Sequence, residues 1–281
     1  MAESIAYRSI AQLNATIMKN IAKFPKDIDL IVGIPRSGML PANLLALYMN
    51  KPYTDIESFL EGKVYACGYR GNYIKERGVK KVLVIDDSVS SGSAMRKAKE
   101  KLKGLNYEFL FGAVYVRSSN KNSVNTFCEV VDGLRVFEWN MFHHRTVLAS
   151  SCLGIDGVLC NDPTPEENDG GEKYHRFLLT AAPKFIPTVK IKTLISCRLE
   201  KYRNETICWL KKHGIEYDNL IMLNLPNAAE RRKWNKYGDY KGTEYKKPGY
   251  VFFIESSLNE AKRIKEVSGK TVFCIETMSI V

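Results

Sequence analysis

The chain has 281 residues, 45% hydrophobic and 26% charged, with a formal net charge of +11. That balance belongs to a globular protein of one large or two ordinary domains. No apolar run approaches the roughly 20 residues that span a bilayer, which excludes a transmembrane helix of ordinary composition, and no membrane partner is expected. Seven scattered cysteines without a Cys-x-x-Cys pair give neither a disulfide framework nor a zinc ribbon. Cys160 and Cys197 are candidates for reactivity, against the commoner role of buried free thiols. Met1-Ala2-Glu3-Ser4 has no basic stretch leading into an apolar core, so a chain without a secretory leader, in the cytoplasm, is expected. The positive charge fits a field for anionic substrates. The run Arg231-Arg232-Lys233-Trp234-Asn235-Lys236 mixes cations with an aromatic and is the best candidate for a nucleic-acid or protein partner.

In chain order, spacing predicts a helix over 5–22, a strand over Leu30-Ile31-Val32-Gly33-Ile34, a tight turn at Pro35-Arg36-Ser37-Gly38 and a helix from Met39 to Met49. A short strand is expected near Tyr53, then a polar, glycine-containing stretch from Glu61 to Gly78. Val82-Leu83-Val84-Ile85 reads as a buried strand, followed by Asp86 and Asp87, a small-residue loop, and a helix opening at about Ser93. Strands are predicted over 109–116 and 129–131, with a short strand or tail over 135–139. Alternating strands and helices predict a parallel sheet with right-handed crossovers.

The loop Ser88-Val89-Ser90-Ser91-Gly92-Ser93 offers backbone N–H groups and hydroxyls at a helix N-terminus, a cradle suited to one phosphate. Gly92 lets the backbone come close to that phosphate. Two adjacent carboxylates are spaced to accept from vicinal hydroxyls, as on a ribose. A plain strand, turn and N-cap would not need two acids and four small residues in this order. The segment resembles the phosphoribosyl-pyrophosphate (PRPP) signature of type I phosphoribosyltransferases. The resemblance implies that Asp86 and Asp87 hold the ribose hydroxyls and bind magnesium, and that Ser88, Val89, Ser90, Ser91, Gly92 and Ser93 bind PRPP. It also implies a pyrophosphate loop at Arg36, Ser37 and Gly38, often with a strained or cis peptide. A mobile lid is implied over 61–78, where Lys63, Tyr65, Tyr69, Arg70, Tyr73, Lys75 and Arg77 fall. The implied enzyme moves 5-phosphoribosyl from PRPP to a nitrogenous acceptor, and a homo-oligomer is expected. The alternative is a PRPP- or nucleotide-sensing or nucleic-acid-associated regulator, or a defence effector, that uses the fold without turnover.

The later residues carry other motifs. Cys152-Leu153-Gly154-Ile155-Asp156-Gly157-Val158 resembles the first motif of haloacid dehalogenase-like (HAD) hydrolases. A strand over 193–198 ends in Ser196, a helix ends near Gly214, and a strand over 250–257 carries Glu255, matching the second and fourth motifs in order. Lys241 or Lys246 would supply the third-motif cation. The resemblance implies a site of Asp156, Ser196, Lys241 and Glu255. It also implies a nucleophilic aspartate where this chain has Gly154, so little or no phosphatase activity is expected. The expected architecture is α/β, two Rossmann-like domains each with a mostly parallel sheet: a phosphoribosyltransferase-like domain at 1–145 and a HAD-like domain at 146–281. His143 and His144, adjacent on an extended segment, point to opposite faces and do not share a metal easily. Phe137 and Trp139 read as core or base-stacking aromatics, and the polar insertion over 161–171 as a rudimentary cap or a surface loop.

Overall fold

The computed structural model describes residues 5–65 and 78–281. They divide into two compact units, Arg8–Arg135, and Val136–Val281 with the first described residues through Tyr7. Of the expected lid, Tyr69, Arg70, Tyr73, Lys75 and Arg77 lie outside the described residues.

The chain begins with β1 (Ile5–Arg8) and α1 (Ile10–Lys19). The predicted helix from residue 5 is corrected here. The Ser9 hydroxyl accepts from the Gln12 N–H at 3.0 Å, and the Gln12 side chain accepts from the Ser9 N–H at 2.8 Å. This capping box starts the helix at Ile10, while Ile5–Arg8 stays extended and pairs with β7 (Leu134–Phe137). Next come β2 (Leu30–Gly33), α2 (Met39–Met49), β3 (Tyr53–Asp55), α3 (Ile56–Leu60), β4 (Lys81–Val89), α4 (Ser93–Leu102), β5 (Glu108–Val116) and β6 (Thr126–Val130). Five of these strands form a parallel sheet in the order β3-β2-β4-β5-β6. Central strand β4 is buried on both faces, as its unbroken apolar run requires. Met95, Ala98 and Leu102, on one face of α4, pack onto Val82 and Val84. Because β4 continues to pair with β5 through Val89, the acids and Ser88 belong to the strand rather than to the loop after it.

After α5 (Arg145–Leu148) the second sheet is built from β8 (Ser151–Leu153), β9 (Ile191–Leu199), β10 (Tyr217–Leu223), β11 (Phe252–Glu255), β12 (Thr271–Cys274) and β13 (Ser279–Ile280). Its order is β10-β9-β8-β11-β12-β13, parallel except for the β12–β13 pair. The helices are α6 (Glu172–Thr180), α7 (Arg203–Lys212), α8 (Ala228–Trp234), α9 (Tyr237–Lys246) and α10 (Leu258–Ser268). Gly238 and Gly242 lie one turn apart on α9. A Cβ on them would sit 2.7 Å from Arg263 Cβ and 2.8 Å from Val267 Cβ of α10, so only glycine allows this approach. The close seam carries Lys241 to the end of β11.

Candidate active site

In a parallel sheet, loops at the C-terminal strand ends gather on one edge. Here the ends of β2 and β4 are also stitched together, because the Ile34 N–H donates to the Ile85 carbonyl at 2.9 Å. The turn after β2 therefore lies beside the acid pair of β4. Ser37 Oγ donates to Asp87 Oδ1 at 3.1 Å, and the Asp87 N–H donates to Asp86 Oδ1 at 2.9 Å. Asp86 and Asp87 are 6% and 5% exposed. Burial, then the neighbouring Asp87 charge, pushes the Asp86 carboxyl up to about 8. The folded chain therefore holds a proton that the unfolded chain releases near 3.8. The stability from this group is complete at low pH and is lost as pH rises from about 4 through about 8. With no PRPP or magnesium added, Asp86→Asn is expected to raise the unfolding midpoint at pH 9 and to match the parent chain at pH 4. Parallel midpoint curves for the two chains would contradict the assignment.

The turn Pro35-Arg36-Ser37-Gly38 contains a cis peptide between Pro35 and Arg36. A Cβ on Gly38 would overlap the Ile34 carbonyl and lie 2.9 Å from the Ile85 carbonyl, so this glycine sets the distance between the two loops. Gly92, at φ +72°, turns β4 into α4. Around it the loop is braced by Arg96 Nη1 on the Ser91 carbonyl at 3.1 Å and by Asn120 Nδ2 on the Ser90 carbonyl at 2.5 Å. Its carbonyls are thus partly occupied from outside, and the Ser93 N–H at the start of α4 donates to Ser91 Oγ at 3.4 Å. In the described part of the expected lid, Lys63 pairs with Glu61 and Tyr65 OH donates to Asp55 at 3.1 Å.

A family model for the phosphoribosyl transferase domain matches residues 3–150. The chain belongs to this family. No curated protein sequence matches it. Solved structures similar to part of it include xanthine-guanine-hypoxanthine phosphoribosyltransferase from Helicobacter pylori, at 16% identity and TM-score 0.37 over 49% of this chain and 93% of that one. A purine phosphoribosyltransferase from Pyrococcus horikoshii gives 17% and 0.37 over 48% and 93%, and orotate phosphoribosyltransferase from Aeropyrum pernix 16% and 0.32 over 43% and 70%. The family match ends just before β8.

Sequence motifs pass over two arginines in the phosphoribosyl transferase domain. Arg135 is 6% exposed and donates to the Val89 carbonyl at 3.4 Å. Burial, then the Arg117 charge, lowers its pKa, while Asp87 opposes the shift. Arg117 donates to the Gly133 carbonyl at 3.1 Å. Neither sits in a local pattern; only the sheet order brings them to the acid-bearing end of β4.

In the second unit, the ends of β8, β9 and β11 meet in a pocket of about 220 Å³ that includes Asp156, Ser196, Lys241 and Glu255. The four expected residues are thus brought together, and Lys241 rather than exposed Lys246 is the cation present. Lys241 Nζ lies 2.8 Å from Glu255 and 2.7 Å from Glu260. Burial works against its charge, but the two glutamates outweigh it and hold the pKa well above the ordinary lysine value. Motif reading missed Arg198, fully buried behind the pocket, which pairs with Asp156 through Nε at 3.1 and 3.2 Å and Nη2 at 2.6 Å. Cys160 and Cys197 are raised by burial, Cys197 to about 12, which disfavours the reactive thiolate.

The remaining residues have local partners in this unit. His143 Nδ1 shares a hydrogen bond with Thr188 at 2.9 Å, and His144 Nδ1 accepts from the Val147 N–H at 3.3 Å, capping α5. Phe137 and Trp139 stack with centroids 4.9 Å apart. The basic run of α8 is split by the helix: Arg231 is buried, Arg232 and Lys233 are exposed, and Trp234 packs on Tyr237 and Tyr240. Among the described residues no helix is long and apolar enough to cross a membrane.

Proposed function

We propose that the protein transfers 5-phosphoribosyl from PRPP to a nitrogenous base. The observation that carries this reading is the buried Asp86–Asp87 pair, hydrogen-bonded to Ser37 of the second loop on the same sheet edge. One end of PRPP then has a home in each loop. The loop Ser90–Ser93 takes the 5-phosphate, Asp86 and Asp87 the ribose hydroxyls, and Arg36 with the amides of Ser37 and Gly38 the pyrophosphate. The bond from C1 of the ribose to pyrophosphate breaks as the bond to the acceptor nitrogen forms. Positive charge builds on the ring, so holding the leaving group and the ring in place supplies most of the catalysis.

Magnesium fits the acid pair as an ion that arrives with substrate. Among the described residues no group of three acids, histidines or cysteines forms a protein cage, and one or two carboxylates plus substrate phosphates are the usual magnesium donors. Asp86 and Asp87 would hold it, and when bound it neutralises charge on the departing pyrophosphate.

The second unit reads as a HAD-like fold without the attacking carboxylate. Support comes from its parallel order β10-β9-β8-β11-β12, with Asp156 after β8, Ser196 on β9 and Glu255 ending β11. Magnesium does not fit there. Gly154 has no side chain, Arg198 occupies Asp156, and Lys241 occupies Glu255. A role beside a cytoplasmic homo-oligomeric transferase is the proposed context.

The test is pyrophosphate release from PRPP with magnesium and single purine or pyrimidine bases. Release with one base is the expected result and identifies the acceptor. PRPP binding without release for any base would overturn the enzyme reading and favour a sensor.

A further inference from the structure

Three consecutive carbonyls where β4 runs into its loop are tied to other parts of the phosphoribosyl transferase domain. The Val89 carbonyl accepts from the Arg117 N–H at 3.1 Å and from Arg135 Nη1 at 3.4 Å. The Ser90 carbonyl accepts from Asn120 Nδ2 at 2.5 Å, and the Ser91 carbonyl from Arg96 Nη1 at 3.1 Å. In a trans peptide the C=O and the following N–H point in opposite directions. The cis bond of the described residues lies elsewhere, before Arg36. Each tied carbonyl therefore turns the N–H of Ser90, Ser91 or Gly92 the other way. Arg96 and Asn120 stand on one side of the loop, since a Cβ on Gly92 would lie 3.5 Å from Arg96 Nη1 and 3.7 Å from Asn120 Oδ1. Among the described residues no hydrogen bond uses those three N–H groups. The Asn120 brace is itself held. Its Nδ2 also donates to Ser119 Oγ at 3.3 Å, its carbonyl accepts from Ser123 Oγ at 2.6 Å, and Lys99 Nζ donates to the Ser123 carbonyl at 2.8 Å.

We infer that Asn120, on the turn Ser118–Ser123 after β5, is a positioning residue for the 5-phosphate, and that Arg96 is a second brace with the same role. The inference rests on the transferase reading of this loop. Successive N–H groups turned to one side make a concavity that takes an anion. A slack loop has to be ordered when the phosphate arrives, and that cost is subtracted from affinity; a loop already tied through its carbonyls avoids it. Asn120 acts through the Ser90 peptide rather than on the substrate, so its effect belongs to the phosphate end of PRPP. The turn at Arg36, which takes the pyrophosphate in the proposed complex, is held by other bonds, from Ser37 to Asp87 and from Ile34 to Ile85. Loss of Asn120 therefore weakens one end of the substrate and spares the other.

The probes are ribose 5-phosphate and magnesium pyrophosphate, titrated calorimetrically into the full-length protein, with initial rates over a range of PRPP concentrations as a second readout. Asn120→Asp keeps the shape of the side chain but has no proton to give the Ser90 carbonyl. It is expected to bind ribose 5-phosphate about tenfold more weakly than the parent chain, and magnesium pyrophosphate within about threefold. Its KM for PRPP is expected to rise by about the same tenfold while kcat stays within about threefold, because the reacting carbon is held by other groups. Asn120→Ala removes the donor without adding a charge, and Arg96→Met acts at an exposed position where folding is not at stake. Each is expected to weaken ribose 5-phosphate roughly three- to tenfold. Equal affinity for ribose 5-phosphate in the parent chain and all three variants would overturn the inference and leave the transferase reading standing. Equal weakening of both ligands would also overturn it, since a general loss of structure would then be the cause. A parent chain that binds no ribose 5-phosphate would overturn the transferase reading of the loop, and the inference with it.

Discussion

Asp87→Asn is expected to lower kcat/KM for pyrophosphate release roughly 100- to 1000-fold, about 3–4 kcal/mol of transition-state stabilisation. Asp87 accepts from the Ser37 hydroxyl on one side and, in the proposed complex, from ribose hydroxyls on the other. An amide keeps one acceptor and turns the other into a donor, so either Ser37 or the sugar faces an N–H. Loss of the link to Ser37 also frees the pyrophosphate turn relative to β4. The effect is therefore expected in kcat as well as in KM, measured by initial rates over a range of PRPP concentrations. A variant within about threefold of the parent chain would remove Asp87 from the proposed site.

Asp156→Ala is expected to destabilise the second unit by about 3 kcal/mol. Removing one partner of a buried ion pair costs ~3–5 kcal/mol, because the other charge is stranded. The lower end applies here, since Asp156 is 25% exposed and water softens the loss, while Arg198 is at 0%. The double variant Asp156→Ala with Arg198→Met is expected to recover most of that loss, because no buried charge remains. Urea unfolding followed by tryptophan fluorescence checks both, since Trp139, Trp209 and Trp234 all lie in this unit. A double variant less stable than the single one would show that Arg198 contributes by packing instead.

Local patterns in the chain determined the elements that hold the first site. The run from Val82 to Ser93 encodes a buried strand, an acid pair and a glycine turn within twelve consecutive residues, and α2 runs from Met39 to Met49 as its spacing predicts. Such features are legible because strand burial, turn chemistry and capping act between near neighbours. The same locality explains the error at the N-terminus. Ile5–Arg8 has apolar spacing compatible with a helix, and what makes it a strand is β7, a partner more than a hundred residues away. Tertiary structure alone decided which charges meet. The link from Ser37 to Asp87, the place of Arg135 at Val89, the choice of Lys241 over Lys246, and the pairing of Arg198 with Asp156 all depend on sheet order and helix packing. Nothing near Arg231 in the sequence distinguishes it from Arg232. One faces the pocket and the other faces solvent because α8 turns about 100° per residue.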